Sequence, residues 1–405
     1  MSHRLRADLD HRPATDLTDV GQDDDLVERI RVEIRERGPM PFARFMDLAL
    51  YDPAGGYYRS ADPRPGRGGD FLTAPELDPV FGASMAVAIA DIWDRLGRPD
   101  RFVVREHGAG EGALAEAMLA AARSMPVGVA LRYQPVEIDP RRLDGLRERL
   151  TAAGLADLTE ESDPEPFDGV VLANEVLDAL PVHRIRQRAG RLRELALDLA
   201  GDGSFVEVEV DPTTPALAAR LAADGIALAD DQTAEICLAL DGWIEAAAAP
   251  LRRGVMLLID YGALATDLYD PSRRRDGTLR AYVRHRVHDD PYRHVGRQDL
   301  TAHVDVSAVE RAAAAAGLTT LGITTQAEAL MGLGIEERLR AIQADPATTI
   351  ERYTLLRSAL MRFLDPAAMG RFAVMAFGRD WPVDAGDAPL RLFTYRSPGR
   401  RAGRP

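Results

Sequence analysis

Glu106, Gly108, Gly110 and Gly112 stand in the run REHGAGEG, directly behind the apolar stretch Phe102–Val104 and ahead of an alanine-rich segment. That order predicts a strand over 101–107, a tight turn, and a helix over 112–124. The glycines permit positive φ and close backbone approach, and the helix start offers free N–H groups to a polar or anionic ligand. The chemistry this serves is the holding of a nucleotide-type cofactor. Two cofactors fit. Gly108, Gly110 and Ala113 match the dinucleotide pattern G-x-G-x-x-G/A, which suits NAD(P). The same residues with Glu106 match E-x-G-x-G-x-G, which suits S-adenosylmethionine (SAM). Glu137 closes a second strand pattern, Leu131–Ile138, where a carboxylate would accept both ribose hydroxyls of either cofactor. It lies beyond the ~20 residues usual for dinucleotide folds, which favours SAM.

Asn174, Glu175 and Asp178 follow a third apolar run, Phe167–Ala173, and point to the place where a cofactor meets its substrate. Carboxylates there would bind and orient a guanidinium or amine nucleophile and could take its proton. The competing reading is a plain helix start, with Glu175 favoured by the dipole of the first turn. Upstream, Thr73 and Glu76 form a T-x-x-E capping box around Pro75. Gly69 and Asp70 lie outside that box, and Asp70 is the better ligand candidate. The segment 285–303 holds His285, His288, His294 and His303 among several aspartates. Its spacing matches no metal-ligand motif. A solvated lid over the crevice, with His303 as a proton acceptor facing the substrate, is the reading adopted. There is no G-x-S-x-G elbow, Walker A loop or H-E-x-x-H, so hydrolase, NTPase and zincin chemistry have no support.

The elements that must position these groups alternate between strand and helix. Strands are expected at 101–107, 131–138, 167–173, 254–260, 319–324 and 372–377, with helices at 26–37, 41–50, 83–96, 112–124, 140–153, 213–222, 233–248, 305–316 and 335–363. Residues 182–199 and 204–210 alternate like antiparallel strands. The fold class is therefore α/β, a doubly wound, mainly parallel Rossmann-like sheet with N-terminal helices and an inserted antiparallel and helical subdomain. Ligands of such sheets bind beyond the C-terminal strand ends, which is where every polar motif above falls. The division expected is a disordered 1–24, a helical region 25–98, a catalytic domain 99–380 with insertions at about 182–250 and 263–303, and a tail 381–405.

Composition narrows the partners. Net charge is −14 and every base is an arginine, since the chain has no lysine. An acidic surface argues against nucleic acid, whose phosphates need neutralising. The one cysteine, Cys237, falls in an apolar helical pattern and excludes intrachain disulfides. No apolar run approaches the ~20 residues of a membrane span, and the N-terminus lacks a signal-peptide core. A cytoplasmic location without membrane insertion is expected. The oligomer stays open, a homodimer among the options.

Six segments in order resemble the MidA family of SAM-dependent methyltransferases: GGDFLTAPE at 68–76, EHGAGEG at 106–112, NEVLDALPVHR at 174–184, LLIDYG at 257–262, GTLRAY at 277–282 and QDLTAHVD at 298–305. The resemblance implies a seven-stranded methyltransferase sheet, SAM as cofactor, and methyl transfer to an arginine nitrogen of a protein. For the mitochondrial member of that family the protein is the quinone-site subunit of respiratory complex I. By matching position, Gly69, Asp70 and Thr73 would close over SAM, Gly108, Gly110 and Glu137 would hold its methionine end and ribose, and Asn174 and Glu175 would lie near the sulfonium. The family's glycine motif reads closer to E-L-G-P-G-R-G. Glu111 here removes a basic partner for the cofactor's carboxylate. An assembly chaperone that binds SAM without turnover, and a methyltransferase of small molecules, remain alternatives.

Overall fold

The computed structural model describes residues 20–59, 73–163, 165–284, 286–382 and 388–395. Its centre is a six-stranded sheet of β1 (Phe102–His107), β2 (Leu131–Val136), β3 (Phe167–Asn174), β4 (Leu251–Asp260), β5 (Thr319–Thr325) and β6 (Ala373–Arg379), in the order β5-β6-β4-β3-β1-β2. Only β6 runs antiparallel to its neighbours. The resemblance implied seven strands. At the β2 edge, where another would add, the described chain makes a single parallel bridge between Tyr133 and Thr159.

Strict alternation in the strands builds the layers. Phe102, Val104, Val170, Leu172, Val255, Leu257 and Ile259 join one apolar cluster, while Val103, Val171, Ala173, Met256 and Leu258 join the other. Both faces are therefore covered, as the near-continuous apolar strands require. Helices α3 (Val80–Arg95), α4 (Ala113–Arg123) and α9 (Ile350–Leu364) pack on the first face; α6 (Ala239–Ala248) and α7 (Val306–Ala315) pack on the second. The other labelled helices are α1 (Asp24–Arg37), α2 (Phe42–Tyr51), α5 (Pro140–Ala152) and α8 (Ile335–Ala344). Helices α1 and α2 share a third cluster with Leu197, Leu279, Ala281 and Leu300 of the inserted segments. Helix α3, from the same N-terminal region, belongs to the core of the central sheet.

Several expected elements differ. Thr233–Ile236 is a strand, not the start of a helix, because it pairs antiparallel with His183–Arg186. Cys237 accordingly lies between that strand and α6, packed against two apolar clusters. The polar segment before His303 is an ordered three-stranded sheet, with Arg280–Val283 between Arg286–His288 and Asp299–Thr301. The single helix expected over 335–363 is two, divided at Asp345 to Thr349. In the expected tail, Leu392 and Phe393 are buried in the core of the central sheet. The expectation for residues 1–19 lies outside the described residues, as do Gly69, Asp70 and His285.

Across the sheet's centre, Val103, Gly169, Gly254 and Arg379 share one register row. A Cβ on Gly254 (φ +148°) would lie 1.9 Å from the Gly169 carbonyl oxygen. Backbone, unlike a flexible side chain, cannot move aside cheaply. Gly254→Ala is therefore expected to destabilise the protein by on the order of 3 kcal/mol. Chemical denaturation of the two proteins checks this; an unchanged midpoint would contradict it.

Candidate active site at the strand ends

The chain leaves β1 for β2 on one side, then returns across the sheet to β3 on the other. The C-terminal ends of β1 and β3 therefore flank a topological switch point, where open α/β sheets place their ligands. Here the glycine turn adopts the predicted geometry: Gly108, Gly110 and Gly112 have φ of +68°, +53° and +81°. A side chain on Gly108 would strike Val176 at 2.6 Å, and one on Gly112 would strike Leu146 at 2.9 Å. Gly110 faces open space, with nothing within 4 Å of where a Cβ would stand. Gly112 then starts α4.

Glu137 reaches back over this turn. It accepts hydrogen bonds from the backbone N–H of Gly110 (2.8 Å), Ile138 (2.8 Å) and Asp139 (3.1 Å). These fix the carboxylate at the tip of β2 while leaving lone pairs for further donors. Glu106 is buried and accepts from the Tyr133 hydroxyl at 2.7 Å. Desolvation raises its pKa to about 8. Its resolved contact is thus with the sheet. The buried Oδ1 of Asn174 has no hydrogen-bond partner, and the Nδ2 donates to Glu175 at 3.1 Å. The open cradle at Gly110, the anchored Glu137 and the orphan acceptor on Asn174 all fit a cofactor with a ribose and polar donors.

Glu175 occupies a left-handed backbone conformation, φ +54°, uncommon for a residue with a side chain and characteristic of functional turns. Its carboxyl accepts from the Ala74 N–H at 3.4 Å, tying the strand end to the one-turn helix Ala74–Leu77. That helix carries the expected capping box of Thr73 and Glu76, and the Thr73 N–H donates to Glu76 at 3.1 Å. Desolvation, and then the charge of Asp178, raise the Glu175 pKa to about 8. Asp178 is buried and rises to about 6, again mainly by desolvation, against a lowering hydrogen bond from Tyr261.

Asp260 and Tyr261 complete the arrangement and were not assigned a role from the sequence. Asp260 ends β4 and accepts from the N–H groups of Val176 (3.1 Å), Leu177 (2.8 Å), Asp178 (3.3 Å) and Tyr261 (2.8 Å). It thereby fixes the turn that carries Glu175 and Asp178. The available signal was positional: Asp260 closes an apolar strand as Glu106 and Asn174 close theirs. The Tyr261 ring lies edge-on to His303, centroids 5.8 Å apart. Burial and the guanidinium groups of Arg274, Arg371 and Arg280 press the His303 pKa down to about 3. The imidazole is therefore neutral and a weak proton acceptor, unlike the role expected of it.

Among the described residues, none of Glu76, Glu106, Glu137, Glu175, Asp178 and Asp260 forms an ion pair, although most other acidic groups near an arginine do. The crevice gathers carboxyl groups that no described arginine neutralises, and burial favours their protonated forms.

Comparison with known proteins agrees with this geometry. Residues 84–324 match a family model described as "Putative S-adenosyl-L-methionine-dependent methyltransferase". A solved COG1565 superfamily protein from Burkholderia thailandensis, bound to S-adenosyl-homocysteine, is 34% identical. The match covers 92% of this chain and 96% of that one, with a TM-score of 0.82. A Drosophila melanogaster protein named as a mitochondrial protein arginine methyltransferase NDUFAF7 homolog is 29% identical, over 87% of this chain and 84% of its own. The human NDUFAF7 is 26% identical, over 85% and 81%. These relatives are named as mitochondrial, which overturns the expectation of a cytoplasmic location. The glycine turn and the strand-end carboxyls thus belong to a SAM-dependent methyltransferase, and the chain is a member of the MidA family of these enzymes.

Proposed function

We propose that this enzyme methylates a side-chain nitrogen of arginine in a protein, with the quinone-site subunit of respiratory complex I as the first acceptor to try. The observation that carries the reading is the pair Glu175 and Asp178. Two carboxyls stand together at the strand ends, neither is neutralised by a described cation, and both are held above their ordinary pKa. A guanidinium entering between them would supply the missing positive charge, and its planar fork matches two carboxylates in geometry. The names of the curated relatives support an arginine acceptor.

The bound cofactor supplies an electrophilic methyl group on a sulfonium. The residues around it act by alignment and desolvation. Gly108, Gly110 and Glu137 would hold the cofactor's methionine end and ribose, and the free Oδ1 of Asn174 would accept a hydrogen bond beside the sulfonium. Thr73 sits at the start of the short helix whose Ala74 N–H reaches Glu175, so it would stand beside the cofactor. Glu106 would act from below, as a buried support at the end of β1. Glu175 and Asp178 would clamp the guanidinium, fix one nitrogen for in-line attack, and accept the proton it sheds. Asp260 is a positioning residue for both, through the backbone bonds it accepts. His303, neutral at any working pH, would contribute shape and a ring face.

Glu175→Gln is expected to lower turnover by at least ~100-fold, the scale of a lost acid–base group, while SAM affinity stays within about threefold. Calorimetric titration and methyl-incorporation kinetics on one preparation separate the two; full activity in the variant would overturn the clamp.

The raised pKa values set the pH dependence. A carboxylic acid whose pKa is raised is neutral below that value and ionised above it. Binding a cation requires the ionised form, and guanidinium keeps its charge throughout. Specificity for the acceptor, kcat/KM, should therefore climb between about pH 6 and pH 8 in two steps, the lower from Asp178 and the upper from Glu175. Asp178→Asn should remove one step. A profile flat across this range would contradict the assignment.

A further inference from the structure

The crevice's carboxyl end has a cationic counterpart. Arg280 opens the strand Arg280–Val283 and is paired in register with Thr301, two residues before His303. The His303 N–H donates to the Thr278 hydroxyl at 3.0 Å, which draws the Arg280 strand against it. Arg371 precedes Phe372, whose ring lies 5.0 Å from Tyr261, and Tyr261 in turn lies against His303. Arg274 closes the group from the loop before Thr278, its carbonyl receiving bonds from Gly277 (3.4 Å) and Gln232 (3.4 Å). Three arginines thus stand on the segments packed around one imidazole, and it feels the charge of each.

They are poorly compensated. In a chain with 64 acidic residues against 50 arginines, most arginines find a carboxylate. Among the described residues the one carboxylate paired with Arg280 is Asp289, at 3.6 Å and itself 88% exposed, and Arg280 also donates to the Leu279 carbonyl at 2.7 Å. Neither Arg274 nor Arg371 makes an ion pair or side-chain hydrogen bond with any described residue. Glu235 acts on Arg274 only through its charge, the smallest of the influences there, while it accepts from the N–H and hydroxyl of Thr278 at 2.6 and 3.0 Å and pairs with Arg184 at 3.9 Å. Burial and the charges of Arg371, Arg280 and Arg273 all depress the Arg274 pKa, so mutual repulsion is carried in the folded state. Like charges gathered without counter-charge at a crevice mouth are stabilised by an arriving anion. The Tyr282 hydroxyl feels the charges of both Asp178 and Arg280.

We propose that Arg274, Arg280 and Arg371 form a subsite for an acidic side chain of the substrate polypeptide, close to the residue that takes the methyl group. This rests on the reading that the acceptor is a protein. The substrate segment is then bipolar: its cationic group enters between Glu175 and Asp178, and a neighbouring carboxylate is received by the arginines beside His303. The subsite selects the sequence around the acceptor; the carboxyl pair selects the acceptor itself.

The test uses the full chain saturated with S-adenosyl-homocysteine and three fluorescent peptides. Each carries one arginine, flanked by aspartates, by asparagines or by lysines. Anisotropy should show the aspartate peptide binding about tenfold more tightly than the asparagine peptide, with a gap that narrows as salt is added. In the double variant Arg274→Glu/Arg371→Glu the gap should close and the lysine peptide should gain. Arg274→Gln, milder for folding, should narrow it partway. Equal binding of the aspartate and asparagine peptides to the unmodified protein would overturn the proposal, as would a gap that survives in the double variant. No methyl transfer is read, so a different acceptor nitrogen leaves this result intact. Loss of S-adenosyl-homocysteine binding in the same samples would count against the cofactor site instead.

Discussion

Buried carboxyl groups without a cationic partner, at the ends of β1, β2, β3 and β4, are the constraint around which the rest of the structure is arranged. Each carboxyl there is held by backbone or hydroxyl donors rather than by arginines: Glu137 by the glycine turn, Glu106 by Tyr133, Asp260 by the turn after β3. Donors of this kind fix position without cancelling charge. A salt bridge would have satisfied the same groups and removed the site's attraction for a cation. The sheet can bear this because its two faces are covered by apolar layers, so the cost of raised carboxyl pKa values falls on a well-buried scaffold.

That cost has a sign. Glu106 and Glu175 are ionised in the unfolded chain above their ordinary pKa of 4.5 but remain protonated in the fold until about pH 8. Across that window the unfolded state releases protons that the native state keeps, and stability falls as pH rises. On the proposed reading the same property readies the crevice for a cationic group, whose arrival would favour the ionised forms. Site chemistry and stability thus pull in opposite directions at these residues, as expected where a site stores strain and desolvation. The left-handed backbone at Glu175 is part of the same cost.

The parts of this arrangement readable in the sequence are those fixed by local pattern. The central strands are buried on both faces, so Val170 to Ala173 and Val255 to Ile259 appear as apolar runs, and each ends at its functional residue. The glycine turn and the capping box of Thr73 with Glu76 carry their geometry in residue type alone. Other parts depend on partners distant in sequence. Thr233–Ile236 adjoins a helical run and becomes a strand only because His183–Arg186 lies beside it. The short strands at 280–301 are too brief and polar to declare themselves, and their sequence reads as a loop. His303 looked like a proton acceptor by type; only its neighbours Arg274, Arg280 and Arg371, none adjacent in sequence, show why it is a weak one. Asp260 lies in the segment LLIDYG, yet its four backbone bonds follow from the fold.

The central claim is that the carboxyl pair presents an arginine nitrogen to the methyl donor. It is tested most directly by supplying the enzyme with isotopically labelled SAM and candidate acceptor proteins, beginning with the complex I quinone-site subunit, and locating the label by fragmentation mass spectrometry. The account predicts label on a terminal guanidinium nitrogen of arginine, and its absence when Glu175→Gln replaces the native enzyme. Label on a different functional group, or label on arginine that is undiminished in that variant, would contradict it.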